Sequence, residues 1–478
     1  MDLSSPGGRA ATPLPWRRLA VLLPAFMADA LAVTVVFPFL PFMVQSLFRF
    51  PPEEEYKIGY YAGLLGGSYE CGQILSSPVW CLLADRCGRR PVIITCLTLG
   101  SCFMLAFGCS TSFWMALLLR FTQGLVNGTM SVCRTCMGDI TDDTNDAAAF
   151  ALIGILWGCG DIIGPALGGL LSDPAKHYPR WYAAQPDVLQ NLLTAFPYIL
   201  PCALVSVFGL VELVFVLFTL PETGRPPPSA PTGKGGGSGS GEAAPPASGW
   251  RALRSHSALR LVCLISMLFG TTIGAFDQTV PVWARDQLSF SEVEVGVAQS
   301  ISGIISMVAS FFIITRLVAA LGTRDAMCAS LVLVGLGYVT PAFDIALGLQ
   351  DHSEASRVFL FATYGLKALG CESCFTGVTL LLKRSSPPEL FGTAQGIGNG
   401  FLSLGLALGP LWGPSLFAFS AGRGGVLAGT EPFVALAVLT AVAASLTRYL
   451  PPELGASEAR CGAGDLQRPM LGDERAGS

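Results

Sequence analysis

Long apolar runs decide what this chain can become. About 20 consecutive, predominantly apolar residues cross a bilayer as a helix, and such runs recur along most of the 478 residues. Only 13% of residues are charged, where a soluble domain carries about 25%. In hydrocarbon every backbone polar group needs an internal partner, so runs of this length become helices. The pattern predicts an all-α membrane protein with twelve transmembrane helices. A net charge of −4, spread along the chain, gives no basic patch for nucleic acid. The first apolar run follows Arg17 and Arg18 and is long enough to span, so it is read as an anchor rather than a cleaved leader.

Predicted helices 1 to 6 run over about 19–44, 60–83, 92–109, 113–133, 147–171 and 196–220. Helices 7 to 12 run over about 259–283, 293–317, 326–347, 358–382, 390–419 and 432–450. Between the two sets, Pro221 to Ser248 is Pro, Gly, Ser and Ala, the composition of a flexible linker. Trp250-Arg-Ala-Leu-Arg254 reads as a short interfacial helix. The expected organisation is an N-terminal tail (1–18), a six-helix bundle (19–220), a linker (221–256), a second six-helix bundle (257–450) and a polar tail (451–478).

A dense knot of charge separates helices 2 and 3: Asp85-Arg86-Cys87-Gly88-Arg89-Arg90-Pro91. An apolar helix cannot carry these charges through hydrocarbon. Gly88 permits a tight reversal and Pro91 suits a new helix start. Positive residues gather on this side of the membrane: Arg17, Arg18, Arg86, Arg89, Arg90, Arg134, Arg251, Arg254, Arg316, Arg324, Lys383 and Arg384. The positive-inside rule then predicts that both termini and the linker are cytosolic.

The two sets of six echo each other. Helix 5 holds Gly160-x-x-x-Gly164-Pro165-x-x-Gly168-Gly169, and helix 11 holds Gly405-x-x-x-Gly409-Pro410-x-x-Gly413. Residues four apart share a helix face, and glycines there let a second backbone come close. Pro165 and Pro410 remove a backbone donor and bend their helices. Leu321-Gly322-Thr323-Arg324 is a weaker echo of Cys87-Gly88-Arg89-Arg90, without the aspartate.

The charged loop D-R-x-G-R-R resembles motif A of the major facilitator superfamily, with Cys81 where that family usually has Gly. The helix-5 pattern resembles motif C of its drug:proton antiporter branch. Arg120-Phe-Thr-Gln123-Gly124 resembles motif B. Phe37-Pro38-Phe39-Leu40, Gly164 to Pro179, Phe196 to Cys202, Leu220-Pro-Glu-Thr223 and Ala275-Phe-Asp277 with Pro281-Val-Trp283 resemble the zinc-induced facilitator-like family. The resemblance runs from helix 1 to helix 11. It implies alternating access between two parallel six-helix repeats, and a small organic anion, metal chelator or cation as substrate. It also implies a plasma or vacuolar membrane. The chain lacks that family's His-rich loop. Under the resemblance Asp85, Arg86, Gly88, Arg89, Arg90 and Arg134 act in gating, and the glycines of helix 5 seal the halves.

An ionisable group inside the membrane is costly unless paired or facing water, so each is a functional candidate. In the resembled family helices 1, 4, 7 and 10 line the cavity. Asp29 lies roughly 15 Å into helix 1 and Arg120 roughly 12 Å into helix 4 from the far side, at 1.5 Å per residue. They are expected to meet as a proton-coupling pair, with Glu70 as the reserve carboxylate and Gln123 beside them. Asp277, Gln278, Lys367 and Glu372 offer similar groups in the second half, and a purely structural role for Lys367 and Glu372 stays open. Cys133-x-x-Cys136 and Cys371-x-x-Cys374 have metal-like spacing, but the chain has only 3 histidines, so no metal or cofactor is expected. Asn127-Gly-Thr is a glycosylation sequon placed inside a helix. The function expected is proton-coupled antiport of a small solute by a monomer. The alternatives are a uniporter or symporter, and a non-transporting sensor; no enzyme chemistry is visible.

Overall fold

The computed structural model describes residues 13–140, 146–220, 256–309, 312–313, 315–347, 354–386, 391–423, 428–451 and 454. The 221–255 linker with its interfacial segment, and nearly all of the C-terminal tail, therefore lie outside the described residues.

The first half holds α1 (Trp16–Thr34), α2 (Leu40–Phe48), α3 (Ile58–Cys87), α4 (Arg89–Gly108), α5 (Phe113–Leu125), α6 (Thr129–Ile140) and α7 (Asp146–Leu171). Short helices α8 (Pro174–His177), α9 (Pro179–Ala183) and α10 (Asp187–Ala195) lead to α11 (Ile199–Thr219). The second half holds α12 (Ser257–Leu288), α13 (Glu292–Ala309), α14 (Thr315–Leu321), α15 (Thr323–Ala346), α16 (Glu354–Arg384), α17 (Phe391–Arg423) and α18 (Glu431–Arg448). Among the described residues, eight helices are long and apolar enough to cross a membrane.

Predicted helices 1 and 4 are not continuous. Helix 1 breaks over residues 35–39, where Pro38 removes a donor, and resumes as α2. Helix 4 breaks at residues 126–128, where Asn127-Gly128 lowers helix propensity. At that break Trp80 Nε1 donates to the Leu125 carbonyl at 2.8 Å. The short helices α8 to α10 were not foreseen, because each is below the length that periodicity can register.

The internal repeat extends to atomic detail. Gly88 (φ 95, ψ 157) and Gly322 (φ 81, ψ 161) take the same backbone conformation, one that disfavours any residue with a Cβ. Two residues on, Arg90 donates to the Leu217 carbonyl at 2.6 Å and Arg324 to the Leu450 carbonyl at 3.3 Å. Each arginine thus serves the C-terminal end of the last helix of its own half, where the helix dipole is negative. In the same way α7 packs on α1 and α17 on α12. A Cβ on Gly160 or Gly164 would meet Ala30 or Thr34, and one on Gly168 the Val35 carbonyl. One on Gly409 would lie 2.5 Å from the Thr271 carbonyl, and one on Gly413 2.6 Å from Thr279 Oγ1. Thr34 Oγ1 bridges α1 and α7 by donating to Gly160 O at 3.0 Å.

Two seams join the halves. On one, Gly59 of α3 faces the Pro414 carbonyl of α17, with Gly63 against Pro410 and Gly67 against Leu411. On the other, Gly169 and Pro165 of α7 face Glu292 and Gly296 of α13. These contacts lie toward the end away from the charged α3–α4 loop. Toward that loop some glycines face open space: a Cβ on Gly158 of α7, or on Gly396 or Gly400 of α17, would meet nothing within 4 Å.

Candidate functional site

The polar centre of the first half is built by α1, α3 and α5 with the break before α6. A Cβ on Gly124 would collide with the Tyr69 backbone, so glycine there brings α3 close against α5. Tyr69 then lies beneath Arg120, whose guanidinium carbon sits 4.4 Å from the ring centroid and 5.8 Å from that of Phe107. Arg120 is 2% exposed and donates to Gln123 Oε1 at 2.8 Å and to the Ala32 carbonyl at 3.2 Å.

Asp29 does not pair directly with Arg120. Its Oδ1 accepts from Asn127 Nδ2 at 2.5 Å, and the same amide contacts the Tyr69 hydroxyl. Thr129 N donates to Asn127 Oδ1 at 3.2 Å, which fixes the amide. Arg120 reaches the Ala32 carbonyl, three residues beyond Asp29 on α1, while Asp29 meets Asn127, seven residues beyond Arg120. Asn127, read as a sequon, is the joint between them. Glu70 is partly exposed and within electrostatic range of both Arg120 and Asp29, whereas Asp29 also senses Arg134. A cavity of about 50 Å³ beside Asp29, Tyr69, Gln123 and Asn127 has room for water.

The second half carries a more open centre. Lys367 Nζ of α16 lies 3.0 Å from Asp277 Oδ1 of α12, with side chains 16% and 20% exposed. Phe276 lies 5.8 Å from the same nitrogen, and Tyr338 and Tyr364 pack on that ring at 4.8 and 5.8 Å. The neighbouring Gln278 turns to the other half, where a Cβ on Gly66 would sit 2.7 Å from its Oε1. Glu372 and, across the seam, Asp161 are within electrostatic range of Lys367. The sequence offered Asp161, like Glu70, as an acid on a helix facing the cavity or the domain interface; in the structure it lies at the α7–α13 seam, where a Cβ on Gly303 would meet its backbone.

At the closed end, two polar contacts cross between the halves. Glu292, with its side chain 2% exposed, accepts from His177 at 3.0 Å and Lys176 at 3.5 Å. Arg285 donates to Gln45 at 3.1 Å and Glu55 at 3.3 Å. Of the predicted gating residues, Arg86 is exposed at the end of α3 and Arg134 on α6, while the Asp85 side chain lies outside the described residues. Glu212 on α11 is buried with Oε1 lacking a hydrogen-bond partner. The four cysteines of the two C-x-x-C spacings are free and buried, and the described residues hold no group of three metal ligands.

This architecture has known counterparts. The chain is 29% identical over 452 residues to Protein ZINC INDUCED FACILITATOR-LIKE 1 of Arabidopsis thaliana, covering 88% of each. It is 27% identical over 407 residues to the class C tetracycline resistance protein of Escherichia coli, covering 84% of this chain and 90% of that one. Among solved structures, a bacterial homologue of the human lysosomal transporter Spinster superposes with a TM-score of 0.70 at 14% identity, over 91% of this chain and 97% of that one. A human organic anion transporter superposes with a TM-score of 0.60 at 21% identity, over 91% and 100%. The sequence profile of the Major Facilitator Superfamily matches residues 22–313 and 262–467, together most of the chain, which therefore belongs to that superfamily of membrane transporters.

Proposed function

We propose that the chain is a proton-coupled antiporter of a small organic solute, working by alternating access, with the polar centre around Arg120 as its coupling element. The observation that carries this reading is the enclosure of Arg120 on Tyr69, with Glu70 in its electrostatic range and Asp29 linked to it through Asn127 and Tyr69. A guanidinium cannot give up its proton at ordinary pH, so the titrating group is a carboxylate. Asp29 is tied into the network through Asn127 and Tyr69, and Glu70 reaches the partly exposed side. Burial favours the neutral form of such an acid and a nearby cation the charged form. Any movement of α3 or α1 against α5 changes that balance, and each pKa unit of change is about 1.4 kcal/mol.

The seams, closed at one end and parted at the other, are what one state of a rocking bundle requires. The positive-inside pattern supports a cytosolic side for the parted end and both termini, and the resemblance to facilitator proteins supports a plasma or vacuolar membrane. The resemblance to facilitator and drug-export proteins supports a monomer that moves solute and protons and carries out no covalent chemistry.

The test is solute accumulation in proteoliposomes against imposed pH gradients. Asp29→Asn or Glu70→Gln should remove accumulation, and Arg120→Lys, which lacks the planar fork, should impair it. Unchanged pH dependence in both carboxylate variants would sink the coupling assignment. Accumulation on the side to which protons flow would instead mark a symporter, and equilibration without any pH effect a uniporter.

A further inference from the structure

Three carboxylates surround one ammonium in the second half: Asp277, Glu372 and, from the first half, Asp161. Lys367 neutralises Asp277 at 3.0 Å. Among the described residues, Asp161 and Glu372 make no hydrogen bond or ion pair, and both are partly exposed. The described residues here therefore hold more acidic than basic side chains. Arg120 offers no counterweight, because it is enclosed by Gln123, Ala32 and Tyr69.

The groups beside Lys367 are those that hold an organic cation. The Phe276 ring lies 5.8 Å from Nζ, within the range in which an aromatic face attracts an ammonium. Tyr364 is 2% exposed and Tyr338 fully buried, with Gln299 beside the first hydroxyl and Thr272 beside the second. Both phenols lie within electrostatic range of Lys367 and Asp277.

We infer that this niche binds an organic ammonium compound, whose charged nitrogen takes the Asp277 and Phe276 contacts now held by Lys367. Lys367 is then a resident competitor rather than a ligand to the solute. On displacement it has Asp161 and Glu372 as alternative partners. The word solute rests on the transport reading above; the binding itself does not.

The experiment is isothermal titration of the full-length protein in detergent with three probes of matched shape: phenethylammonium, 2-phenylethanol and 3-phenylpropionate. Saturable binding is expected for phenethylammonium alone. Asp277→Asn should weaken it by about thirtyfold or more, as removal of one member of a charge pair does. Lys367→Met should tighten it, by about three- to tenfold, because the competing state is gone. Saturable binding of 3-phenylpropionate, absence of phenethylammonium binding, or weakening by Lys367→Met would each overturn the inference. The three-probe contrast in the unaltered protein stands even where a variant does not fold. Ammonium binding without pH-driven accumulation of any solute would sink the transport reading and leave the niche. pH-driven accumulation of an anion without ammonium binding would do the reverse.

Discussion

The two halves share a frame and differ at its centre. In the first, Arg120 is enclosed, doubly hydrogen-bonded and stacked on Tyr69, with Asp29 held at one remove by Asn127. In the second, Lys367 keeps one charged partner and remains open to its surroundings beside spare carboxylates. Yet Gly88 and Gly322, Arg90 and Arg324, and the glycine faces of α7 and α17 correspond position by position. The frame is set by how closely backbones approach, which glycine governs. The chemistry is set by side chains, which the repeat leaves free to diverge. A saturated network suits a charge that must stay in place, and an unsaturated one suits a charge that must change partners.

The largest effect should show that the frame is shared. Gly164→Leu and Gly409→Leu each drive a side chain into backbone or Thr34, so both should abolish monodisperse protein on size exclusion. One tolerated and one lethal would mean that only one half depends on close helix approach. Next, the centres should separate in thermal unfolding. Arg120→Ala loses two hydrogen bonds and a ring contact from a buried site and should cost about 3 kcal/mol or more. Lys367→Met, at a pair that solvent reaches in part and with Asp277 able to take up a proton, should cost less than Arg120→Ala. Equal losses would erase the distinction between a saturated and an open centre.

A smaller effect is expected at the closed end. Glu292→Gln keeps the shape but removes the charge that faces His177 and Lys176. Opening there should become easier by about 1 kcal/mol, read as faster labelling of a cysteine placed in the α7–α13 seam. The smallest belongs to the parted end. Gly400→Ala meets nothing within 4 Å, so stability should hold or rise by about 0.5–1 kcal/mol through the helix backbone. Turnover should nevertheless fall, because the same face has to close when the bundle rocks. Unchanged turnover would mean that α17 does not seal that end.

Much of the frame was legible in the sequence because hydrocarbon allows few solutions. Long apolar runs had to become helices, and the glycine spacing on helices 5 and 11 pointed to close packing. Even the faint Gly322-Thr323-Arg324 echo matched a real structural equivalence. The polar centre was read less well. Counting residues along separate helices does not say which side chains share a level, because that depends on how α1 and α5 are offset against each other. Asp29 therefore meets Asn127, and Arg120 the Ala32 carbonyl. Asn127 and Tyr69 carried no charge to draw attention, although Asn-Gly inside an apolar run was a sign of a break. Asp161 was visible as an acid on helix 5, but only the α7–α13 crossing sets it opposite Lys367.

The Lys367–Asp277 pair has a consequence for how the carrier responds to membrane voltage. A carrier that returned empty with bare carboxylates would drag net negative charge through the field. Here the empty site keeps its own counter-ion, so Asp277 contributes almost no charge movement to the return leg. When an ammonium solute displaces Lys367, the lysine stays aboard, and the loaded leg carries one positive charge more than the empty one. A potential of 100 mV acts on that extra charge with about 2.3 kcal/mol. The loaded leg should therefore respond to potential by one positive charge more than the leg that returns without the ammonium.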